Sequence, residues 1–164
     1  MEISRFDIDF VERTRNILLD YADQYDMSIV INCTLGLIIL PYEKTKNKPS
    51  SLWLTEIDKI SNLPSFELKI FEPIKSIDSQ TGEIIRYPRK TLKVLLQKMR
   101  NGLAHQDIEP KNKDGKFSGV IIRNYFDDKR VHKDLEIHFD KNALREFALF
   151  IADEYLKKFN KSGL

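Results

Sequence analysis

Apolar residues return at three- and four-residue steps in several stretches of this chain, the pattern of helices that bury one face. In the first, from about Ile8 to Gln24, Val11, Ile17, Leu18 and Tyr21 are apolar, with Glu12, Arg13, Arg15 and Asp20 between them. A second stretch begins near Asp26 or Ser28 and is apolar nearly all round through Ile29, Ile31, Leu35, Leu37, Ile38 and Ile39, which predicts a central helix. Pro41 is expected to end it, because its ring cannot continue the hydrogen-bond ladder and it restrains Leu40. A short helix capped by Ser50 or Ser51 is expected through Leu52, Leu54, Ile57 and Ile60, with Trp53 beside it. The clearest stripe is Leu92, Leu95, Leu96, Met99 and Leu103. The last is Leu144, Phe147, Ala148, Ile151 and Tyr155, preceded by Asp140 as N-cap and followed by Lys157, Lys158 and Lys161, which suit a helix C-terminus.

Between the helices the period changes. Pro64, Pro73, Gly82 and Pro88 break residues 62–88, where Ser79-Gln80-Thr81-Gly82-Glu83 reads as a turn between extended pieces at Ile74–Ile77 and Glu83–Tyr87. Residues 119–126 and 135–139 read as two strands of a small antiparallel hairpin joined by the charged Asp127–Arg130 region. Lys44–Ser51 and Lys111–Lys116 read as basic surface loops.

Composition narrows the function classes only a little. The chain has 164 residues, enough for one comfortable core, so a single domain over 1–164 is expected. A net charge of +2 conceals 27 basic and 25 acidic residues, a balance that neither demands nor excludes nucleic acid. Cys33 is the sole cysteine, which excludes an intrachain disulfide and a thiolate metal cluster and fits a reducing cytosol. The acidic first residues lack the apolar core of a secretory signal. The most apolar run, Ile29 to Leu40, is about half the length that crosses a bilayer. A cytoplasmic protein without membrane contact is expected. No His/Asp/Glu set has metal-ligand spacing and no glycine-rich phosphate loop is present, so neither a metal nor another cofactor is expected.

Chemistry concentrates at Met99-Arg100-Asn101-Gly102-Leu103-Ala104-His105-Gln106, where the clearest helical stripe runs into charge. A guanidinium that forks onto phosphate and an imidazole that titrates near neutrality suit RNA cleavage. A helix-terminal arginine and histidine also serve the last carbonyls and the dipole, and the spacing alone is loose.

Arg100 through His105 resembles the signature of the HEPN superfamily (higher eukaryotes and prokaryotes nucleotide-binding): an arginine, a polar residue, and a histidine four to six positions after the arginine. Independently, Phe10-Val11-Glu12-Arg13-Thr14-Arg15, with the Ile29–Pro41 stretch containing Asn32 and Leu35-Gly36-Leu37, looks like the first two helices of a plasmid-borne, stand-alone HEPN branch. The resemblance implies a mainly α fold: a HEPN-like bundle of four to five helices, with the small antiparallel β-hairpin inserted before the last. It further implies a homodimer with two motifs at a shared cleft. The implied activity is metal-independent endonuclease cleavage of single-stranded RNA, of toxin–antitoxin or phage-defence type, sometimes with a nucleotidyltransferase or other antitoxin as partner. In the subgroup silenced by adenylylation, a tyrosine lies two positions after the histidine; here Asp107 stands there, so that control is not expected.

Internal cleavage of RNA needs the 2′-hydroxyl deprotonated, the phosphorane charge stabilised and the leaving 5′-oxygen protonated. His105 is assigned as general base or acid and Arg100 as phosphate clamp, with Asn101 holding His105 or a phosphate oxygen, or else capping the helix. Asn32 is read as a buried amide facing a partner helix, or as part of the cleft lining. His132 and His138 are read as structural or exposed. Five helical residues turn roughly 500°, which leaves Arg100 and His105 about 140° apart around the axis. Convergence therefore requires distortion at Gly102 or a second subunit. The competing reading is a non-catalytic HEPN-like dimerisation module that binds a nucleotide or a protein.

Overall fold

The computed structural model describes residues 5–20 and 27–160. Tyr21, Gln24, Asp26 and Lys161 lie outside the described residues. The first two helices are α1 (Phe6–Asp20) and α2 (Met27–Thr45). Three strands follow, β1 (Glu67–Phe71), β2 (Ile74–Ile77) and β3 (Ile84–Arg86), then α3 (Leu92–Ala104). Strands β4 (Ile108–Lys113), β5 (Lys116–Tyr125) and β6 (Lys133–Asp140) lead into α4 (Lys141–Asn160).

The expected mainly α bundle is thereby corrected. Four α-helices share the described residues with six strands, and the fold is mixed α/β. The hairpin foreseen before the last helix exists as β5–β6, but it is the middle of a four-stranded antiparallel sheet ordered β1-β6-β5-β4. Its inner face alternates as a half-buried sheet must: Val120, Ile122 and Asn124 of β5 stand opposite Phe139, Ile137 and Leu135 of β6, and all six are buried. On the outer face Arg123 links Glu109 and Glu136 at 2.6 and 3.0 Å, and Lys133 and His138 also reach Glu136. Hydrogen bonds from Lys133, His138 and Arg123 hold the Glu136 carboxyl down to about 2 against the opposing effect of burial. His138 is thus structural, and exposed His132 pairs with Asp127 at 3.1 Å.

Helices α3 and α4 pack on the inner face, where Leu92, Leu95, Leu96, Met99, Leu144, Phe147 and Ile151 are almost wholly buried. Each such side chain contributes ~1.5–3 kcal/mol of transfer free energy. Beyond α4, α1 and α2 close a smaller core of Val11, Leu18, Leu37, Ala148, Ala152 and Tyr155. Asp140 caps α4 as expected, accepting from the Ala143 amide at 2.8 Å.

Three smaller expectations resolve individually. The weak hairpin is real: β2 pairs with β3 across a turn in which Asp78 accepts two amides at 2.8 Å and Gly82 takes φ 72°. Pro41 lies inside α2 and does not end it. Proline forfeits its own amide bond there and crowds the preceding turn, yet the helix continues, with Thr45 donating back to the Pro41 carbonyl at 2.5 Å. The short helix expected from Leu52 is a series of turns ending in a 3₁₀ turn at Ile57–Lys59. Its backbone braces the start of α3, with the amides of Leu92 and Lys93 donating to the carbonyls of Thr55 and Trp53 at 3.0 and 2.8 Å.

Candidate functional site

The candidate residues sit where α3 stops. Thr91 begins the helix by accepting the Val94 amide at 3.4 Å, and the regular ladder then runs through Gly102 to Ala104. The end is closed by paired backbone bonds, Gln106 N–H to the Leu103 carbonyl at 3.1 Å and Asp107 N–H to the Gly102 carbonyl at 2.8 Å. This is a Schellman arrangement with Gln106 at the left-handed position, φ 60°, where glycine is the usual occupant. Exchanging Gln106 for glycine is expected to raise stability by about 0.5–1 kcal/mol. A urea midpoint that fell at constant m-value would overturn that assignment.

Gly102 has a role different from the hinge expected of it. A β-carbon added there would lie 2.0 Å from the Arg123 carbonyl oxygen of β5. The glycine lets the helix backbone touch the sheet, and α3 is not distorted at it. Arg123 N–H also donates to the Asp107 carbonyl at 2.9 Å, so β5 fastens the helix end from two sides.

Arg100 and His105 leave this regular helix in different directions, as their angular separation requires. The Arg100 Nε lies 2.6 Å from Oε1 of Glu43 on α2, and its Nη1 donates to Asn101 Oδ1 at 3.2 Å. The other Glu43 oxygen takes Lys46 at 2.6 Å. Hydrogen bonding from Lys46, aided by Arg100, depresses the Glu43 carboxyl below its ordinary range. Asn101 thus holds the arginine and not the histidine. His105 is exposed on the other side, at the rim of two recesses.

The larger recess, about 250 Å³, is lined among others by Lys98, Asn101, His105, Asn124 and Phe126. Lys98 is 4% exposed. Its ammonium donates to the Ile74 carbonyl at 2.7 Å, stands 2.7 Å from Asp134 Oδ2, and lies 5.5 Å from the centre of the Phe126 ring. Asn124 donates to the second Asp134 oxygen at 2.7 Å. The smaller recess, about 160 Å³, runs between His105, Asp107, Tyr125, Asp128 and Arg130. There Asp107, the residue at the tyrosine position, is nearly buried and ion-paired with Arg130, whose guanidinium lies 4.6 Å from the centre of the Tyr125 ring.

Asn101 and His105 therefore share a recess, while Arg100 lines neither of the two. Asn32 is exposed on α2 and lines neither as well, so it is not a buried amide. Lys98, Asp134 and Glu43 were missed from the sequence. The available signal was a lysine inside the Leu95-Leu96-x-x-Met99 stripe; Asp134 carried none, because strict alternation sets it on the face opposite Leu135, and its burial accompanies the register shift at Asn124/Tyr125. Among the described residues no group of three or more His, Cys, Asp or Glu could hold a metal ion, and no helix is long and apolar enough to cross a membrane.

A family model described as HEPN pEK499 p136 matches residues 1–162. Neither the curated proteins nor the solved structures compared with the chain give a match.

Proposed function

Because the chain belongs to the HEPN pEK499 p136 family, we propose that it is a metal-independent endonuclease for single-stranded RNA, acting as a toxin or in phage defence. Membership is consistent with a nucleotide-binding or RNase-type module, and HEPN domains commonly dimerise and bind nucleic acid. The observation that carries the reading is the unbroken α3. Arg100 is drawn to α2 and His105 to the sheet side, so one copy offers a phosphate half a site, and a second copy apposed at the α3 end completes it.

In that dimer His105 takes the proton of the 2′-hydroxyl as its oxygen attacks the adjacent phosphorus. Arg100 neutralises the phosphorane, and the partner subunit's His105 protonates the departing 5′-oxygen, leaving a 2′,3′-cyclic phosphate and a 5′-hydroxyl. Release from Glu43 frees the Arg100 guanidinium for this contact. An antitoxin, a nucleotidyltransferase included, would have to act elsewhere than at position 107, where a carboxylate is already paired with Arg130.

Incubation with single-stranded RNA in EDTA tests the proposal. Cleavage by the wild type, lost in both Arg100→Ala and His105→Ala, is expected, together with toxicity on expression that His105→Ala abolishes. The neutralised state of Arg100 in one copy specifically favours the second reading, a dimeric binding module without catalysis. RNA left intact across sequence and pH, yet bound, would establish that reading instead.

A further inference from the structure

On the α2 side of α3 lies a cleft of about 360 Å³, within the usual range of about 300–1,000 Å³ for ligand sites. Three cations line it, Lys46, Arg89 and Lys93, and no Asp or Glu does. Lys46 is occupied by Glu43, whereas neither Arg89 nor Lys93 is in an ion pair with any described residue. Two tyrosines complete the wall. Tyr42 is nearly buried, and burial pushes its phenol upward, with the Glu43 charge adding to the effect. Tyr87 is half-buried, and its hydroxyl donates to Gln97 Oε1 at 3.3 Å.

The Tyr87–Gln97 pair is also part of the recess that holds Lys98, Asn101 and His105. One hydrogen-bonded partition therefore separates a cationic, aromatic cleft from the recess at the candidate catalytic histidine. Gln97 and His105 are eight residues apart, so about 12 Å of helix axis lies between them. That is a span of roughly three to four nucleotides at the stacked spacing of a single strand, ~3.4 Å each. Two cations outside any ion pair, Arg89 and Lys93, beside a half-buried tyrosine suit a strand whose phosphates meet Arg or Lys and whose base stacks on the ring's open side.

We propose that this cleft is a second subsite for single-stranded RNA, in which Arg89 and Lys93 hold phosphates and Tyr87 stacks a base a few nucleotides from the bond presented to His105. The proposal rests on the RNA reading above and extends it from the cleavage point to a track across α3. It assigns substrate length to a feature that one copy supplies whole, whereas the cleavage point needs two.

Equilibrium binding of 2′-O-methyl oligonucleotides of two, four and eight residues tests it, since these probes resist 2′-hydroxyl attack. For the wild type, affinity is expected to climb from the dimer to the octamer. Arg89→Glu with Lys93→Glu is expected to weaken octamer binding at least tenfold, remove the length dependence, and lower the slope of log affinity against log salt by about 1.4, the value for two lost phosphate contacts. Tyr87→Phe retains the ring and is expected to bind as the wild type, and Tyr87→Ala several-fold more weakly. Lys157→Glu, a charge reversal on α4 outside this lining, is the control and leaves octamer binding unchanged.

Octamer binding unaffected by the double charge reversal, or affinity already maximal with the dimer, would overturn the subsite. So would uridine monophosphate binding as tightly as the octamer, which would make the cleft a site for free nucleotide. The two proposals fail separately. Length-dependent binding lost in the cleft variants without any RNA cleavage upholds the subsite and removes the nuclease. Cleavage with octamer binding indifferent to the cleft does the reverse.

Discussion

Gly102→Ala is expected to destabilise the protein by about 3 kcal/mol, at the upper end of what overpacking costs, and to lower the melting temperature by roughly 6–12 °C. On helix propensity alone the same change would stabilise, because alanine is favoured over glycine by ~1 kcal/mol in a helix interior. The sign of the measured effect therefore separates two accounts of the residue. In one, glycine at this point of the motif supplies local distortion; in the other, it lets α3 lie directly on β5. The geometry supports the second, since the new β-carbon would stand 2.0 Å from the Arg123 carbonyl oxygen and 3.0 Å from its carbonyl carbon. Both atoms are backbone in a strand paired on each side, so neither can turn away as a side chain could. Circular dichroism melts of wild type and variant decide it. An alanine variant as stable as the wild type would mean that α3 does not rest on β5 as described, and the placement of His105 would fall with it.

How much of this was legible follows from the kind of signal each element carries. Helix α3 announced itself because Leu92, Leu95, Leu96 and Met99 are core at helical spacing, and α4 because Asp140 caps a similar stripe. The sheet edges sent no such signal. Strand β4 reads Ile-Glu-Pro-Lys-Asn-Lys, and its proline and charges argue against a central strand while suiting an edge, where Pro110 stands opposite Val120. Beyond it, Asp114-Gly115 lies not in a basic surface loop but between the paired Lys113 and Lys116. With φ of 53° and 72° it is the two-residue turn of a hairpin, for which Asp-Gly is a strong sequence signal. Strand β1 is five residues between prolines, with Lys69 between Leu68 and Ile70, too short for periodicity to separate from a loop.

For the site, the helical arithmetic that set Arg100 and His105 about 140° apart anticipated their divergence. What spacing could not show is which groups meet them. Glu43 lies 57 positions before Arg100, and Arg130 lies 23 positions after Asp107; these pairings depend on α2 folding against α3 and on the β5–β6 connection reaching the segment between α3 and β4. Asn32 failed as a buried amide for a related reason. Helix α2 is apolar on nearly every side, so its pattern does not distinguish the side that the rest of the fold covers.

Lys98→Met and Asp134→Leu are each expected to cost about 3–5 kcal/mol, the penalty for leaving one charge of a buried pair without its partner. The pair is enclosed: the side chains of Lys98 and Asp134 are 5% and 0% exposed. With the lysine gone, Asp134 keeps only the Asn124 amide; with the aspartate gone, Lys98 keeps the Ile74 carbonyl and the Phe126 face. The double variant Lys98→Met with Asp134→Leu is expected to be more stable than either single one, because no uncompensated charge remains in the core. Urea denaturation of all four proteins yields the coupling. Single variants costing under ~1 kcal/mol, or costs that simply add, would show that the two charges are hydrated and the ion pair is not closed. The double variant also isolates what the lysine does besides pairing. Lys98 is the tie from α3 to the first residue of β2, so removing both charges restores the core but not the hold on the hairpin. Tyr87 follows that hairpin directly, its amide donating to the Pro73 carbonyl at 2.7 Å. A stable Lys98→Met/Asp134→Leu protein with weakened octamer binding would therefore connect the buried pair to the partition at Tyr87, and hence to the path toward His105. Unchanged binding would confine the pair to holding α3 against the sheet.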